Sequence, residues 1–300
     1  MQESLGDYRI LEWIGAGGSA EVFRARDTRL GRTAAIKVLT ADEVDDPGLR
    51  KRFLDEAALA AALGHPNVAS LYEIGEQDGH PYLVFEFIQG QTLSGLLAGR
   101  PLNARRALEF AIQIADALAD AHATGLVHHA LRPDKIIVSL KGTAKTIDFG
   151  LGHYAMAVAR RLAGTGATVP AMAYWPPEQT AGASGDPRLD IYALGLVLRE
   201  MLTGRPPSPE SPSTALNGVP ADVRPILQRM ISADPQRRPD SAATVSADLR
   251  AVAAQLDARR EASPGPSTPP VRKSASAVPR WLIAGLALIV IAALIWLAGR

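Results

Sequence analysis

Residues 281–298 read WLIAGLALIVIAALIWLA, an apolar run that no charge interrupts. A helix of that length spans roughly 27 Å, close to the hydrocarbon thickness of a bilayer. Trp281 and Trp296 stand near its two ends, where indole rings favour the membrane interface, and Arg280 and Arg300 bracket it. A buried core helix is the competing reading. It would normally carry some polar face, and it would not follow a linker like the one preceding this run. The run therefore reads as one transmembrane helix. Arg259, Arg260, Arg272, Lys273 and Arg280 precede it and only Arg300 follows. The positive-inside rule then places the bulk of the chain in the cytoplasm, single-pass at the inner (cytoplasmic) membrane, with the lipid bilayer as a partner through 281–298. No signal peptide is expected at the N-terminus, no sizeable domain beyond the membrane, and the helix shows no GxxxG dimerisation signal.

Residues 258–280 read as a Pro/Ser-rich juxtamembrane linker. Arg272 and Lys273 can touch anionic headgroups, for about 2 kcal/mol at most. Ser263, Ser267 and Thr268 are candidate phosphorylation sites for another enzyme, and a plain solvated tether is the alternative. The remainder is long enough for a sizeable core. The chain has no cysteine, which excludes disulfides, thiolate metal sites and a cysteine nucleophile. Lys plus Arg is 32 against 31 Asp plus Glu, and aromatics are 5%. Neither a basic field nor a stacking platform argues for a nucleic-acid partner.

Apolar and polar positions alternate between glycine turns over 8–39, which predicts three strands. Leu49, Phe53, Ala57, Ala60 and Leu63 recur at helical spacing, predicting a helix over 48–63. Two more strands are expected at 70–76 and 81–87. From 103 onward the pattern is mainly helical, with a short β-rich stretch near 126–148. A small β-rich lobe thus precedes a larger helical one, an α+β arrangement.

The motifs fall in a definite order. Gly15-Ala16-Gly17-Gly18-Ser19 lies between two predicted strands, where backbone N–H groups can approach phosphates. A dinucleotide-binding fold would need a helix immediately afterwards, and a strand follows instead. Lys37 lies in the apolar strand Ala35-Ile36-Lys37-Val38 and needs a partner. Glu56, on the next helix, is the expected one. His65-Pro66-Asn67 ends that helix. Further on come Asp148-Phe149-Gly150, Pro176-Pro177-Glu178, Asp190-Ile191-Tyr192-Ala193-Leu194-Gly195 and Asp234-Pro235-Gln236-Arg237-Arg238-Pro239.

Together these resemble the eukaryotic-like (Hanks-type) serine/threonine protein kinases of bacteria. The resemblance runs over residues 8–257, with a small lobe at 8–85, a hinge at 86–90 and a large lobe at 91–257. It implies the two-lobed kinase fold and an ATP site built from Gly15, Gly17, Val22, Ala35, Lys37, Glu56 and Ile137. Phe85 would be the gatekeeper, backbone groups of Glu86 and Ile88 would meet adenine, and Asp148 would hold magnesium. Arg238 would pair with Glu178.

The resemblance breaks in the catalytic loop. The family reads H-R-D-x-K-P-x-N there, and this chain reads His128-His129-Ala130-Leu131-Arg132-Pro133-Asp134-Lys135. The family aspartate accepts the substrate proton, which Ala130 cannot do. The base is typically worth about 10²–10⁴-fold. Arg132 stands for a lysine that contacts the transferred phosphoryl. Lys135 replaces the asparagine that holds a second magnesium, and His129 replaces the arginine that grips a phosphorylated loop. Ala171 stands where a threonine is usual. Residues 205–220 look too short and broken for the usual substrate-docking helix.

The expected function is that of a membrane-anchored pseudokinase: an ATP-binding scaffold or regulator, with one magnesium at most, presenting a surface to a protein partner in bacterial signalling. Lys135 would sit near the phosphates in place of the second cation. One alternative is a degenerate but active serine/threonine kinase using Asp134 or His129 as base. A second is an anchored adaptor acting through its linker.

Overall fold

The structure, a computed structural model, describes residues 4–17, 20–39, 46–208 and 216–262. A six-stranded antiparallel sheet in the order β1-β2-β3-β4-β6-β5 forms the small lobe. Its strands are β1 (Ser4–Leu5), β2 (Tyr8–Gly17), β3 (Ala20–Asp27), β4 (Thr33–Leu39), β5 (Leu71–Gln77) and β6 (His80–Glu86). Period-two alternation gives the sheet two apolar faces. Tyr82 and Val84 join Tyr8, Ala25, Ala34 and Ile36 in a small cluster on one side. Leu83 and Phe85 turn to the other side and enter the main core.

Helix α1 (Pro47–Ala62) packs on that second face through Phe53, Ala57 and Ala60. Asp46 caps it by accepting from the N–H groups of Gly48 and Leu49, and Pro47 occupies the first turn, where its missing N–H costs nothing.

The large lobe begins with β7 (Gly90–Thr92), α2 (Leu93–Leu97) and α3 (Ala104–Ala123). Asn103 caps α3, and Leu108, Ala111, Ile114, Ala115 and Leu118 form its buried stripe at helical spacing. A second sheet, β7-β8-β9, adds β8 (Ile136–Ser139) and β9 (Ala144–Thr146). Then follow α4 (Gly152–Gly164), α5 (Pro177–Thr180), α6 (Arg188–Thr203), α7 (Arg224–Met230) and α8 (Ala242–Ala262). Helix α6 is buried from Leu189 to Leu202 and is the axis of the lobe. It stops at Gly204, whose φ of 69° and 2.7 Å approach of a would-be Cβ to the Gly99 carbonyl both require glycine.

The expected small and large lobes are both present. One boundary differs from expectation. Helix α8 continues to Ala262, so the start of the expected 258–280 linker is helical. Helix α4 falls in the stretch read as mainly helical beyond 148, with Tyr154, Val158 and Leu162 four residues apart. Residues 205–208 and 216–220 contain no helix, and 209–215 lie outside the described residues. Among the described residues no helix is long and apolar enough to cross a membrane, and the run 281–298 lies outside them.

Candidate active site

The site rests on a loop hung from α6. Asp190, in the first turn of that helix, is fully buried. Its carboxylate accepts from the backbone N–H groups of His128 at 2.8 Å and His129 at 2.9 Å, and meets His122 Nε2 at 2.9 Å. Burial pushes the Asp190 carboxyl up, but His122 and the neighbouring histidines win and hold it below the ordinary range. His128 donates from Nε2 to the Ile147 carbonyl and accepts the Ala130 N–H at Nδ1. Burial depresses the pKa of both His128 and His129. Neutral rings follow.

His129 and Asp148 both adopt the left-handed region, with φ of 61° and 72°. Non-glycine residues there cost of order 1–3 kcal/mol and persist where their surroundings force them. His129 is fixed on three sides. Its N–H reaches Asp190, its carbonyl accepts from Gln179 Nε2 at 2.7 Å, and its Nε2 accepts from the Gly185 N–H at 3.1 Å. The loop is thus well held, and the side chain it presents at the base position is the methyl of Ala130.

Asp148 is held differently. Its Oδ1 takes the ammonium of Lys37, and its Oδ2 takes that of Lys135 at 2.5 Å. Burial alone would raise its pKa, but Lys135 and Lys37 together pull it far below the carboxylate range. Lys37 moves down to about 8, because burial outweighs Asp148 and Lys135 adds like-charge repulsion. Two cations thus enclose one carboxylate between the lobes.

This corrects the expected pairing of Lys37 with Glu56. Glu56 instead meets His153 Nδ1 and accepts the His153 backbone N–H at 3.3 Å. The physical reason is the turn after Asp148. Gly150 lies so close to α1 that a Cβ there would come 2.8 Å from Ala60 Cβ and 3.0 Å from the Glu56 carbonyl. That contact brings the start of α4 against α1 and delivers His153 to Glu56. Phe53 and Tyr154, with ring centroids 6.1 Å apart, continue the seam. His153 had no motif to mark it in the sequence.

The remaining expected residues fall in two groups. Gly15 pairs with Val22, Val22 with Lys37, Ala35 with Phe85, and Ala34 with Glu86 across neighbouring strands. The register therefore aligns Gly15, Val22, Lys37, Ala35 and Phe85 on β2, β3, β4 and β6. Gly17 faces Ala20 at the hairpin, and a Cβ on Gly15 would meet nothing within 4 Å. The Glu86 carboxylate binds Lys145 at 2.7 Å, which ties the hinge to β9. Ile88 is buried, and Ile137 sits in β8 opposite Thr92 and Lys145. On the catalytic loop, Asp134 is engaged by Arg132 at 3.3 Å and is half exposed. Arg238, fully buried at its side chain, forks onto Glu178 at 2.5 and 3.0 Å, as expected.

A nucleotide and a magnesium ion fit this arrangement unequally. The glycine hairpin, the Val22–Lys37–Ala35–Phe85 alignment and the hinge suit a purine nucleotide. The metal position does not suit a divalent cation. Both Asp148 oxygens already hold ammonium groups, and Lys135 occupies the second-ligand position with a positive charge.

The protein kinase domain family matches residues 8–256. The chain is 35% identical over 263 residues to the serine/threonine-protein kinase PknB of Mycobacterium tuberculosis, covering 81% of this chain and 42% of that one. It is 36% identical over 262 residues to the serine/threonine-protein kinase PrkC of Bacillus subtilis, covering 82% of this chain and 40% of that one. The chain thus spans about two fifths of the length of these curated relatives. The crystal structure of the Mycobacterium tuberculosis PknI kinase domain superposes with a TM-score of 0.70 at 26% identity, over 83% of this chain and 97% of that one.

Proposed function

The chain belongs to the protein kinase family, with bacterial serine/threonine kinases as its relatives, and from that premise we propose that it acts as a pseudokinase. It binds ATP between its lobes without efficient phosphoryl transfer and offers its surface to a partner protein in bacterial signalling. The apolar run 281–298 anchors it in the inner membrane with the kinase-like domain in the cytoplasm. One observation carries the reading: the Asp148 carboxylate is closed between Lys37 and Lys135 while Ala130 fills the base position. Phosphoryl transfer needs metal held by that aspartate and a residue that orients the nucleophile. This site opposes the first and lacks the second.

The cradle suits triphosphate binding with little or no magnesium. Phosphate oxygens entering beside Lys37 and Lys135 meet two ammonium groups already in place, which supply charge that a metal would otherwise supply. Asp134 is a poor substitute base, because Arg132 holds it on the loop's exposed side. His129 is neutral, but its Nε2 faces Gly185 and the residue is buried, 4% exposed. A weakly active serine/threonine kinase is the second reading, favoured by the intact Asp190 and Arg238–Glu178 frame and by the activity named for the relatives.

The test is radiolabelled phosphate transfer by the full chain in detergent, with ATP and magnesium or manganese and a basic protein as acceptor. Lys37→Ala serves as the control. No label above the control, together with an ATP-induced rise in melting temperature that persists in a chelator, is the expected result. Label well above the control would favour the kinase reading instead.

A further inference from the structure

Three side chains meet where α1, the catalytic loop and the start of α4 come together: Glu56 from α1, His129 from the catalytic loop and His153 from α4. One ligand atom from each lies within 4.8 Å of the others. The two imidazole centroids stand 4.6 Å apart with planes at 54°, tilted rather than stacked. His129 is 4% exposed, and its Nδ1 has no hydrogen-bond partner. That atom lies 2.7 Å from where a Cβ on Gly152 would stand, hence beside the backbone that carries His153.

We infer that Glu56, His129 and His153 form a binding site for a zinc-like divalent cation. The donor set of two imidazoles and one carboxylate suits a borderline metal in tetrahedral coordination, with water as fourth ligand. Metal–ligand bonds of 2.0–2.2 Å would place the donors about 3.4 Å apart, so the Glu56–His153 pair opens to that spacing and no other pair closes by much more than an ångström. Magnesium, which prefers oxygen ligands, does not suit it. The chain has no cysteine to offer a competing thiolate site.

The proton inventory is definite. His129 Nε2 accepts the Gly185 N–H, so the neutral ring carries its proton on Nδ1, where nothing accepts it. An unpartnered buried donor is costly, of the order a lost hydrogen bond costs. When the metal takes the Nδ1 lone pair, the ring proton passes to Nε2 and the Gly185 N–H must turn aside. Glycine at 185, with φ of 85°, is free to make that turn. The Glu56–His153 contact is replaced by two metal bonds: the proton on His153 Nδ1 leaves, the ring keeps or takes up one proton at Nε2, and the freed Nδ1 lone pair binds the metal. The consequence is mechanical: one ion would tie α1, the catalytic loop and α4 together. Glu56 would then be unavailable to Lys37. The inference does not depend on whether nucleotide binds.

Untagged full chain in detergent, stripped with a chelator and dialysed against zinc chloride alone, is expected to retain one zinc per chain. X-ray absorption of that sample should show two imidazoles in the first shell. His153→Ala should weaken zinc binding about tenfold or more, and magnesium chloride should not displace the ion. Loss of all zinc on dialysis, a first shell without two imidazoles, or equal binding by a folded His153→Ala chain would each overturn the site. The absorption measurement decides the matter even if that variant does not fold.

Discussion

The anchors of the large lobe and the seam between the lobes hold their charges in opposite ways. Asp190 gathers two backbone N–H groups and a histidine, and Arg238 forks onto Glu178 while also donating to the carbonyls of Ser232 and Arg188. Each of those charges meets partners that the fold itself supplies. At the seam, among the described residues, the Asp148 carboxylate is held by Lys37 and Lys135, and that of Glu56 by His153 and its backbone N–H. These partners sit on separate elements, and one of them, Lys135, is present because of a departure from the family motif. The difference teaches that the departures at 130 and 135 leave the frame of the large lobe intact. The scaffold charges each have several partners, and those of the seam are paired across separate elements.

The sharpest way to break the scaffold side is Arg238→Ala. Removing one partner of a buried pair leaves the other charge uncompensated, typically at a cost of about 3–5 kcal/mol. Here the Ser232 and Arg188 carbonyls lose their donor as well. Urea denaturation should show the midpoint fall with the slope unchanged. A loss under about 1 kcal/mol would mean that the pair is ornamental to the fold.

The seam can be probed by gain rather than loss. Ala130→Asp restores a carboxylate on a loop already held by Asp190, and Lys135→Asn frees one oxygen of Asp148. Phosphate transfer by the double variant should exceed wild type by about 10²–10⁴-fold, the usual worth of a positioned base. The Lys135→Asn change alone should make ATP binding depend on magnesium, read by titration with and without chelator. If the double variant stays silent, the re-pairing of Glu56 with His153 is itself enough to hold the site inactive. Adding His153→Ala to it would then be the decisive variant.

Much of the scaffold was legible in the sequence because its motifs are local. Strand alternation around Ile36 and Val84, the Asp190 helix and the Arg238 motif each announce their own surroundings. The alanine at 130 and lysine at 135 were equally plain, since a register held by His128 and Pro133 exposes any departure. The partner of Lys37 was not legible. It depends on how closely Gly150 lets the chain approach α1, a distance that no residue spacing encodes. His153 escaped notice for the same reason. Its role comes from meeting Glu56 across 97 positions of sequence, and a lone histidine after Asp148-Phe149-Gly150 carries no pattern. The signal available was the four-residue spacing of Tyr154, Val158 and Leu162, which gives the helix read there a definite face but not the partner that face meets.

The smallest expected effect separates the two regions by pH. Burial lowers the pKa of His128 and His129 below their ordinary value of about 6.5. Both are therefore neutral in the folded chain, and the unfolded chain takes up protons there as pH falls. Stability from these groups is full above about pH 6.5 and declines below it, with a slope of at most about 2.7 kcal/mol per pH unit for two protons. Lys37 behaves in another window. Its folded value of about 8 lies below its unfolded value of 10.5, so the unfolded chain binds the extra proton between them and stability rises with pH across that interval. Denaturation midpoints at a series of pH values should therefore fall from neutral toward pH 5 and rise from pH 8 toward pH 10. Lys37→Met should flatten the alkaline rise and leave the acid limb in place. If it flattened both limbs, the seam and the large-lobe anchors would be one coupled network, and the contrast between them would fail.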